Sequence, residues 1–124
     1  MYLKMINSKL VTVKDLQNIQ ELEKYELPER IYKRYKETTR GNDFISIEEC
    51  KKKLIRNIIL SYEAPIKVGL EYKRCFYYGC LIIQLNLEER NFCYIDNRFD
   101  KGSNFSMDLE KRKVLNYIMG LKND

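Results

Sequence analysis

Apolar residues recur at helical spacing through the first third of the chain. Thr12 followed by Asp15 offers an N-cap oxygen and a first-turn carboxylate, which predicts a first helix over residues 13–26. Its apolar stripe consists of Val13, Leu16, Ile19 and Leu22. Pro28 fits the first position of a second, more polar helix that fades before Gly41. The apolar residues of that helix are Ile31, Tyr32 and Tyr35.

The strongest helical pattern follows Ser46. Ser46 and Glu49 have the spacing of a capping box, and Ile45 and Cys50 are placed to form the hydrophobic contact that accompanies it. The predicted helix ends near residue 61, before Ala64 and Pro65. Its apolar face consists of Ile47, Cys50, Leu54, Ile55, Ile58 and Ile59.

The pattern becomes β-type after Tyr72. Three runs rich in aromatic and branched residues, 75–78, 80–85 and 92–95, are separated by Gly79 and by a polar turn. They predict an antiparallel meander of two or three strands, and residues 66–68 are a candidate further strand. A polar loop over 96–104 follows. Ser106 is the predicted cap of a last helix whose core side is Val114, Leu115, Ile118 and Leu121.

This order of elements predicts an α+β fold in which N-terminal helices pack on a small antiparallel β-meander, with a C-terminal helix. The length of 124 residues fits one domain, so we predict a single domain over 1–124. The longest uncharged apolar stretch, Cys75 to Leu85, is about half as long as a membrane-spanning helix. Residues 1–8 lack the pattern of a secretory signal. We therefore expect a cytoplasmic protein with no membrane partner.

The net charge of +5 is concentrated in the middle of the chain. Residues 28–75 hold twelve basic and seven acidic residues, whereas each flanking segment is balanced. Basic side chains can neutralise phosphates while tyrosines stack on unpaired bases, so this segment suits a nucleic acid or an acidic protein partner. An ordinary exposed helix surface is the alternative. The candidate binding residues are Arg30, Lys33, Arg34, Tyr32, Tyr35, Lys51, Lys52 and Arg56.

The composition excludes several chemistries. The chain has no histidine, which rules out Ser-His-Asp and Cys-His catalysis and any His-ligated metal. No phosphate-binding loop or dinucleotide-binding glycine motif is present. The four cysteines lack the paired spacing of zinc ligands, so we expect buried small hydrophobes. We expect no cofactor and no metal.

Two catalytic interpretations remain. Glu71-Tyr72-Lys73 has the E-x-K spacing of metal-dependent nucleases of the restriction-endonuclease type, with Glu63 or Asp96 needed to complete a site. A surface strand with alternating charges explains the same three residues.

The second interpretation rests on the order of elements over residues 40–96. A polar turn, a capped helix and a meander containing Phe76-Tyr77-Tyr78-Gly79 and Tyr94-Ile95-Asp96 resemble the layout of small toxin ribonucleases of the RelE and BrnT kind. The resemblance covers under half of the chain and includes no specific motif. It implies RNA cleavage without a metal by residues on the sheet. Its first candidates here are Arg74, Tyr78 and Arg90.

A small domain without catalytic motifs is more often a binding protein than an enzyme, and its ten tyrosines are typical of interfaces. We predict a non-enzymatic binding protein of the kind that serves as a phage or mobile-element accessory factor or inhibitor. Its partner would be a nucleic acid or a nucleic-acid-handling protein. The toxin-like ribonuclease is the alternative, and the sequence leaves the oligomeric state open.

Overall fold

The computed structural model describes residues 10–98 and 106–122, which form helices on a four-stranded antiparallel sheet. The strands lie in chain order across the sheet, β1-β2-β3-β4. The predicted α+β class is confirmed. The elements of the described residues are α1 Val13–Glu23, α2 Glu29–Thr38, α3 Ile47–Leu60, β1 Tyr62–Glu63, β2 Lys73–Tyr78, β3 Leu81–Asn86, β4 Asn91–Asn97 and α4 Leu109–Met119.

The first helix begins where the sequence predicts and ends earlier. Thr12 and Asp15 form a reciprocal capping box, in which each backbone N–H donates to the other side chain at 3.1 Å. The helix ends at residue 23 rather than 26 because Glu26 joins the sheet. The Glu26 N–H donates to the Arg90 carbonyl at 2.9 Å, and the Glu26 carbonyl accepts from the Phe92 N–H at 3.0 Å.

The third helix follows its predicted pattern with one exception. The Ser46 hydroxyl accepts from the Glu49 N–H at 3.1 Å, which caps the helix. Four of the six predicted apolar residues are buried and Ile59 is partly buried against the core, but Ile47 in the first turn is 40% exposed and lies outside it. The buried residues of the stripe are Cys50, Leu54, Ile55 and Ile58.

The meander contains three predicted strands and one that the sequence does not reveal. Gly79 has a φ of 61°, in the left-handed region that glycine adopts readily, and it turns β2 into β3. The candidate strand over 66–68 is wrong, because those residues lie in the loop between β1 and β2. The first strand is instead Tyr62–Glu63, directly after α3.

A β-bulge sets the orientation of β4. Leu85 pairs with Phe92 and Gln84 pairs with Tyr94, so Cys93 is an extra residue on the bulged strand. Phe92 and Ile95 therefore both face the helices although they are three positions apart.

The core is one cluster of aliphatic and aromatic side chains between the helices and one face of the sheet.

The last helix, α4, begins later than predicted. Asp108 rather than Ser106 is its N-cap, and the Asp108 side chain accepts from the Lys111 N–H at 3.0 Å. The Lys111 ammonium also lies 3.0 Å from the Asp15 carboxylate, which ties α4 to the start of α1. Within 10–98 and 106–122, we find no helix with the length and apolar character needed to cross a bilayer.

Candidate nucleic-acid interface

Three of the predicted basic residues lie on α2 beside β4. Arg30 donates from Nη1 to the Cys93 carbonyl at 3.1 Å. Arg34 Nη2 lies 2.9 Å from Oδ1 of Asp96, and Lys33 is exposed on the same helix. These contacts hold α2 along the edge of the sheet and place its cations next to β4.

The two predicted tyrosines of α2 serve the fold. The Tyr32 hydroxyl donates to the Ile45 carbonyl at 2.5 Å, and the Lys36 ammonium lies 4.2 Å from the centre of the Tyr32 ring. Tyr35 is buried, and this burial raises the pKa of its hydroxyl to about 12, although the charge of Arg56 acts in the opposite direction. Tyr35 is therefore inaccessible to a base, and Tyr32 is partly covered.

The predicted residues of α3 face different surroundings. The Lys51 ammonium donates to the Glu23 carbonyl at 2.6 Å, at the end of α1. Burial lowers the pKa of Lys51, while Glu23 and Glu26 act to raise it. Lys52 is exposed, whereas Arg56 is 3% exposed and lines an open pocket on the helix side of the sheet. The eight predicted residues therefore lie in several different surroundings rather than in one patch.

A different surface brings aromatic and charged side chains together. Because side chains alternate along a strand, the sheet has a second face whose residues lie outside the core cluster, and we call it the open face. The register aligns Tyr62, Tyr77, Ile82 and Asp96 in one row across the four strands. The residues of the open face include Tyr62, Lys73, Cys75, Tyr77, Ile82, Gln84, Asn86, Tyr94 and Asp96.

Three tyrosines dominate the open face. Tyr62, Tyr77 and Tyr94 are 62%, 39% and 37% exposed. Tyr62 lies directly opposite Tyr77. Tyr94 lies two strands away from Tyr77, which corresponds to about 10 Å perpendicular to the strands. Ile82 between them is only 6% exposed, although it is on this face. Ile82 therefore lies on the strand between those of Tyr77 and Tyr94, and all three phenol rings remain accessible.

The open face holds one lysine and one aspartate, and two further arginines lie beside it. Asp96 lies 2.9 Å from Arg34 and 3.9 Å from Arg98. Desolvation acts to raise the pKa of Asp96, but its hydrogen bonds with Arg34 and with the Asn97 backbone N–H bring it below the ordinary value. Lys73 is half-buried at the other end of the face. The one carboxylate among the residues of the open face is thus shared by two arginines.

The loop between β1 and β2 forms a wall beside the open face. A groove of about 140 Å³ lies between this loop and the side chains of β2 and β3. Ala64 continues the pairing of β1, since its N–H donates to the Cys75 carbonyl at 2.9 Å. The groove residues that belong to the open face are Lys73, Cys75, Tyr77 and Gln84.

The elements that form the open face lie within the residues that a known family model matches. A family model described as YorE matches residues 25–118, which include α2, α3 and the whole sheet. The chain belongs to the YorE family. No curated protein and no solved structure matches it. The YorE match therefore assigns the chain to a family but describes no activity for it.

In this YorE-family chain, the three ribonuclease candidates lie apart. Arg74 is on the helix-covered face, where Nε and Nη2 lie 2.6 and 2.7 Å from the Glu63 carboxylate. This hydrogen-bonded pair raises the pKa of Arg74. Tyr78 lies at the opposite end of β2, and its hydroxyl is 3.5 Å from the Met107 sulfur. Arg90 lies in the turn between β3 and β4.

The acidic candidates for metal binding are also separated. Glu71 accepts from the Gly69 N–H at 3.1 Å, Glu63 is bonded to Arg74, and Asp96 lies beside α2. In the described part of the chain, no group of three or more Cys, Asp or Glu side chains is placed to hold a metal ion. The cysteines are free thiols; Cys50 is buried, and the other three, Cys75, Cys80 and Cys93, are half-buried.

The open-face tyrosines are candidate binding residues that the charge-based interpretation missed. The signal was present in the strands, because Tyr77 follows the core residue Phe76 and Tyr94 precedes the core residue Ile95. Alternation therefore assigns both tyrosines to the face opposite the core. Tyr62 had no such signal, since β1 has only two residues.

Proposed function

We propose that this YorE-family protein is a non-enzymatic binding protein that engages single-stranded nucleic acid through the open face of its sheet. The family match is compatible with a phage-related accessory role. The observation that carries the proposal is the set of three accessible tyrosines on one sheet surface, at Tyr62, Tyr77 and Tyr94.

Tyrosine rings on a sheet suit unpaired bases because every base has a flat π-face that stacks on an aromatic side chain. A duplex hides those faces within its own stack, so the geometry favours a single strand. Tyr62 and Tyr77 are neighbours across β1 and β2, and Tyr94 is two strands away. A single-stranded nucleic acid that runs across the sheet would contact the three rings in succession.

Cations around these rings suit the phosphates of the same strand. Lys73 lies at one end of the open face, and Arg34 and Arg98 lie at the other, beside Asp96. Each phosphate neutralised by a basic side chain releases counterions and strengthens binding at low salt. Arg30 and Lys33 extend the same basic edge along α2, which retains part of the interface predicted from charge.

A protein partner is the second candidate, because the loop beside the open face exposes apolar side chains. Ile66 and Val68 are 57% and 99% exposed, and Leu70 follows them. Exposed apolar residues beside tyrosines also occur at protein interfaces. A nucleic-acid-handling protein would be the partner in that case.

The experiment is fluorescence anisotropy with labelled single-stranded DNA and RNA at several salt concentrations. Changing Tyr77 or Tyr94 to Ala should weaken binding by about 1–3 kcal/mol, the range for loss of one base–aromatic stack. Tyr→Phe at the same positions should retain most of the affinity because the ring remains.

Tyr117→Ala is the matched control, since Tyr117 is exposed on α4, away from the sheet surface. It should leave the affinity unchanged. Absence of salt-sensitive binding by the parent protein near physiological salt would reject the nucleic-acid proposal. A protein captured through residues 66–70 would then support the second candidate.

A further inference from the structure

The groove beside the open face is too small for a whole nucleotide and suits a single flat group. Its volume is about 140 Å³, whereas sites that enclose a complete small molecule measure about 300–1,000 Å³. Lys73, Cys75 and Tyr77 follow one another on the open side of β2, and all three line the groove. Because the Cys75 side chain is the shortest of the three, it leaves a depression between its two longer neighbours.

The wall of the groove is apolar. Pro65 has no N–H and cannot extend the pairing of β1 with β2, so the chain leaves the sheet there and forms the loop. Ala64, Pro65, Ile66 and Leu70 of this segment line the groove. The groove therefore spans β2, from an apolar wall on one side to Gln84 of β3 on the other.

Gln84 supplies a donor and an acceptor side by side. In the register of the sheet it lies between Cys75 and Tyr94, and it is half-buried. Its backbone carbonyl accepts from the Cys93 thiol at 3.5 Å. Within residues 10–98 and 106–122, its side-chain carboxamide has no hydrogen-bond partner. The amide nitrogen and oxygen are therefore available to the polar edge of a group in the groove.

The charge of the groove indicates what kind of molecule carries that group. Lys67 and Lys73 line it, and none of the described lining residues is an Asp or a Glu. A nucleic-acid strand places a phosphate next to each base, so these cations favour a strand over an apolar peptide segment. The apolar wall and the Tyr77 ring suit the flat faces of a base.

We infer that the groove holds one unpaired adenine of the bound strand and that Gln84 determines this preference. The inference rests on the proposed binding of a single strand by the open face. Adenine presents its N6 amino donor beside the N7 acceptor, which a glutamine carboxamide contacts with two hydrogen bonds. Guanine presents two acceptors there, and cytosine presents an amino donor that suits a carboxylate.

Fluorescence anisotropy tests the preference with short thymine oligonucleotides that carry one central adenine, cytosine, or purine without the 6-amino group. The parent should bind the adenine strand at least about fivefold more tightly than the cytosine strand, the lower limit for one bidentate contact. The purine strand should lose this gain, because it keeps the stacking face but lacks the N6 donor.

Two substitutions of Gln84 make opposite demands on the base. Gln84→Leu should bind single strands without distinguishing adenine from cytosine, since the side chain no longer donates or accepts. Gln84→Glu should favour the cytosine strand, because a carboxylate accepts from the N4 amino group. A reversal of preference is a result that loss of folding does not produce.

Gln20→Glu is the matched control, since Gln20 is exposed on α1 and the substitution is the same. It should keep the adenine preference, and Lys73→Gln should weaken binding to all strands alike. Single-strand binding by the parent without a base preference, or a preference that survives in Gln84→Leu, would overturn the inference and leave the open-face proposal intact. No salt-sensitive binding of any strand would overturn both.

Discussion

The two faces of the sheet are built from the same strands and have opposite compositions. On β4, Phe92 is fully buried against the helices, and its ring meets that of Tyr25 edge-on at 6.5 Å. Two positions further on, Tyr94 lies on the open face and is 37% exposed. The covered face thus holds side chains that join several elements, whereas the open face holds rings with few neighbours. Stability and binding should therefore respond to substitutions on opposite faces.

The largest contrast is expected between Phe92→Ala and Tyr94→Ala. Phe92→Ala should lower the free energy of unfolding by about 3–5 kcal/mol, because it removes a large buried ring and leaves a cavity. Tyr94→Ala should cost about 1 kcal/mol or less, since the ring is partly solvated. Urea denaturation followed by circular dichroism measures both. Similar losses for the two variants would mean that the open face is part of a core.

The salt dependence of binding distinguishes the contribution of cations on and beside the open face from that of cations elsewhere. Lys73→Gln/Arg98→Gln should flatten the slope of log K against log salt by about 1.4, since each phosphate contact to a single strand contributes about 0.7. Lys14→Gln/Lys24→Gln removes the same charge from α1 and its C-cap and should leave the slope unchanged. Equal flattening in both variants would indicate a diffuse effect of net charge.

Removing a helix cap tests whether the helices on the covered face contribute to stability without affecting binding. Ser46→Ala should destabilise the protein by about 1 kcal/mol, because the Glu49 N–H loses its acceptor at the start of α3. Affinity for a single strand should not change, since α3 packs on the covered face. Thermal unfolding and anisotropy on the same sample check both statements, and a loss of affinity would link α3 to the interface.

The smallest effect concerns the ion pair between Glu63 and Arg74 on the edge of the covered face. The hydrogen bonds from Arg74 hold the pKa of Glu63 below its ordinary value of 4.5, although desolvation acts to raise it. A lowered pKa stabilises the folded state above the unfolded-state pKa, and this contribution is lost as the pH falls through the lowered value. Glu63→Gln should therefore cost about 0.2–1 kcal/mol at pH 7, as for partly exposed ion pairs.

At about pH 3 the parent and Glu63→Gln should be closer in stability than at pH 7. Denaturation with urea at the two pH values measures the difference. An equal or larger difference at about pH 3 would show that the carboxylate charge does not contribute.

The sequence predicted elements in which local and tertiary signals agree. The stripe that includes Leu54 and Ile55 identified α3, and the runs around Phe76 and Ile83 identified the hairpin. Residues 66–68 mimic a strand by alternating apolar and basic side chains, but the loop that contains them turns through Gly69, whose φ is 85°. The short β1 gives too few residues for alternation to be recognised.

The candidate interface was less predictable because charge counts ignore direction. Arg56 and Tyr35 belong to the basic segment but point into the protein, and Arg30 and Arg34 bond to β4. The bulge at Cys93 also breaks the strict alternation of side chains in β4. The face of the sheet on which Phe92 lies therefore cannot be predicted from alternation alone. These orientations depend on tertiary packing and on register.

Backbone amide chemical-shift mapping by NMR tests the central claim most directly. Titration of the parent protein with a short single-stranded oligonucleotide should shift the amides of β2, β3 and β4 around Tyr77, Gln84 and Tyr94, together with those near Lys73 and Arg98. Amides of α1 and of the solvent side of α3 should remain in place. Shifts confined to α1 and α3, or no shifts at near-physiological salt, would contradict binding by the open face.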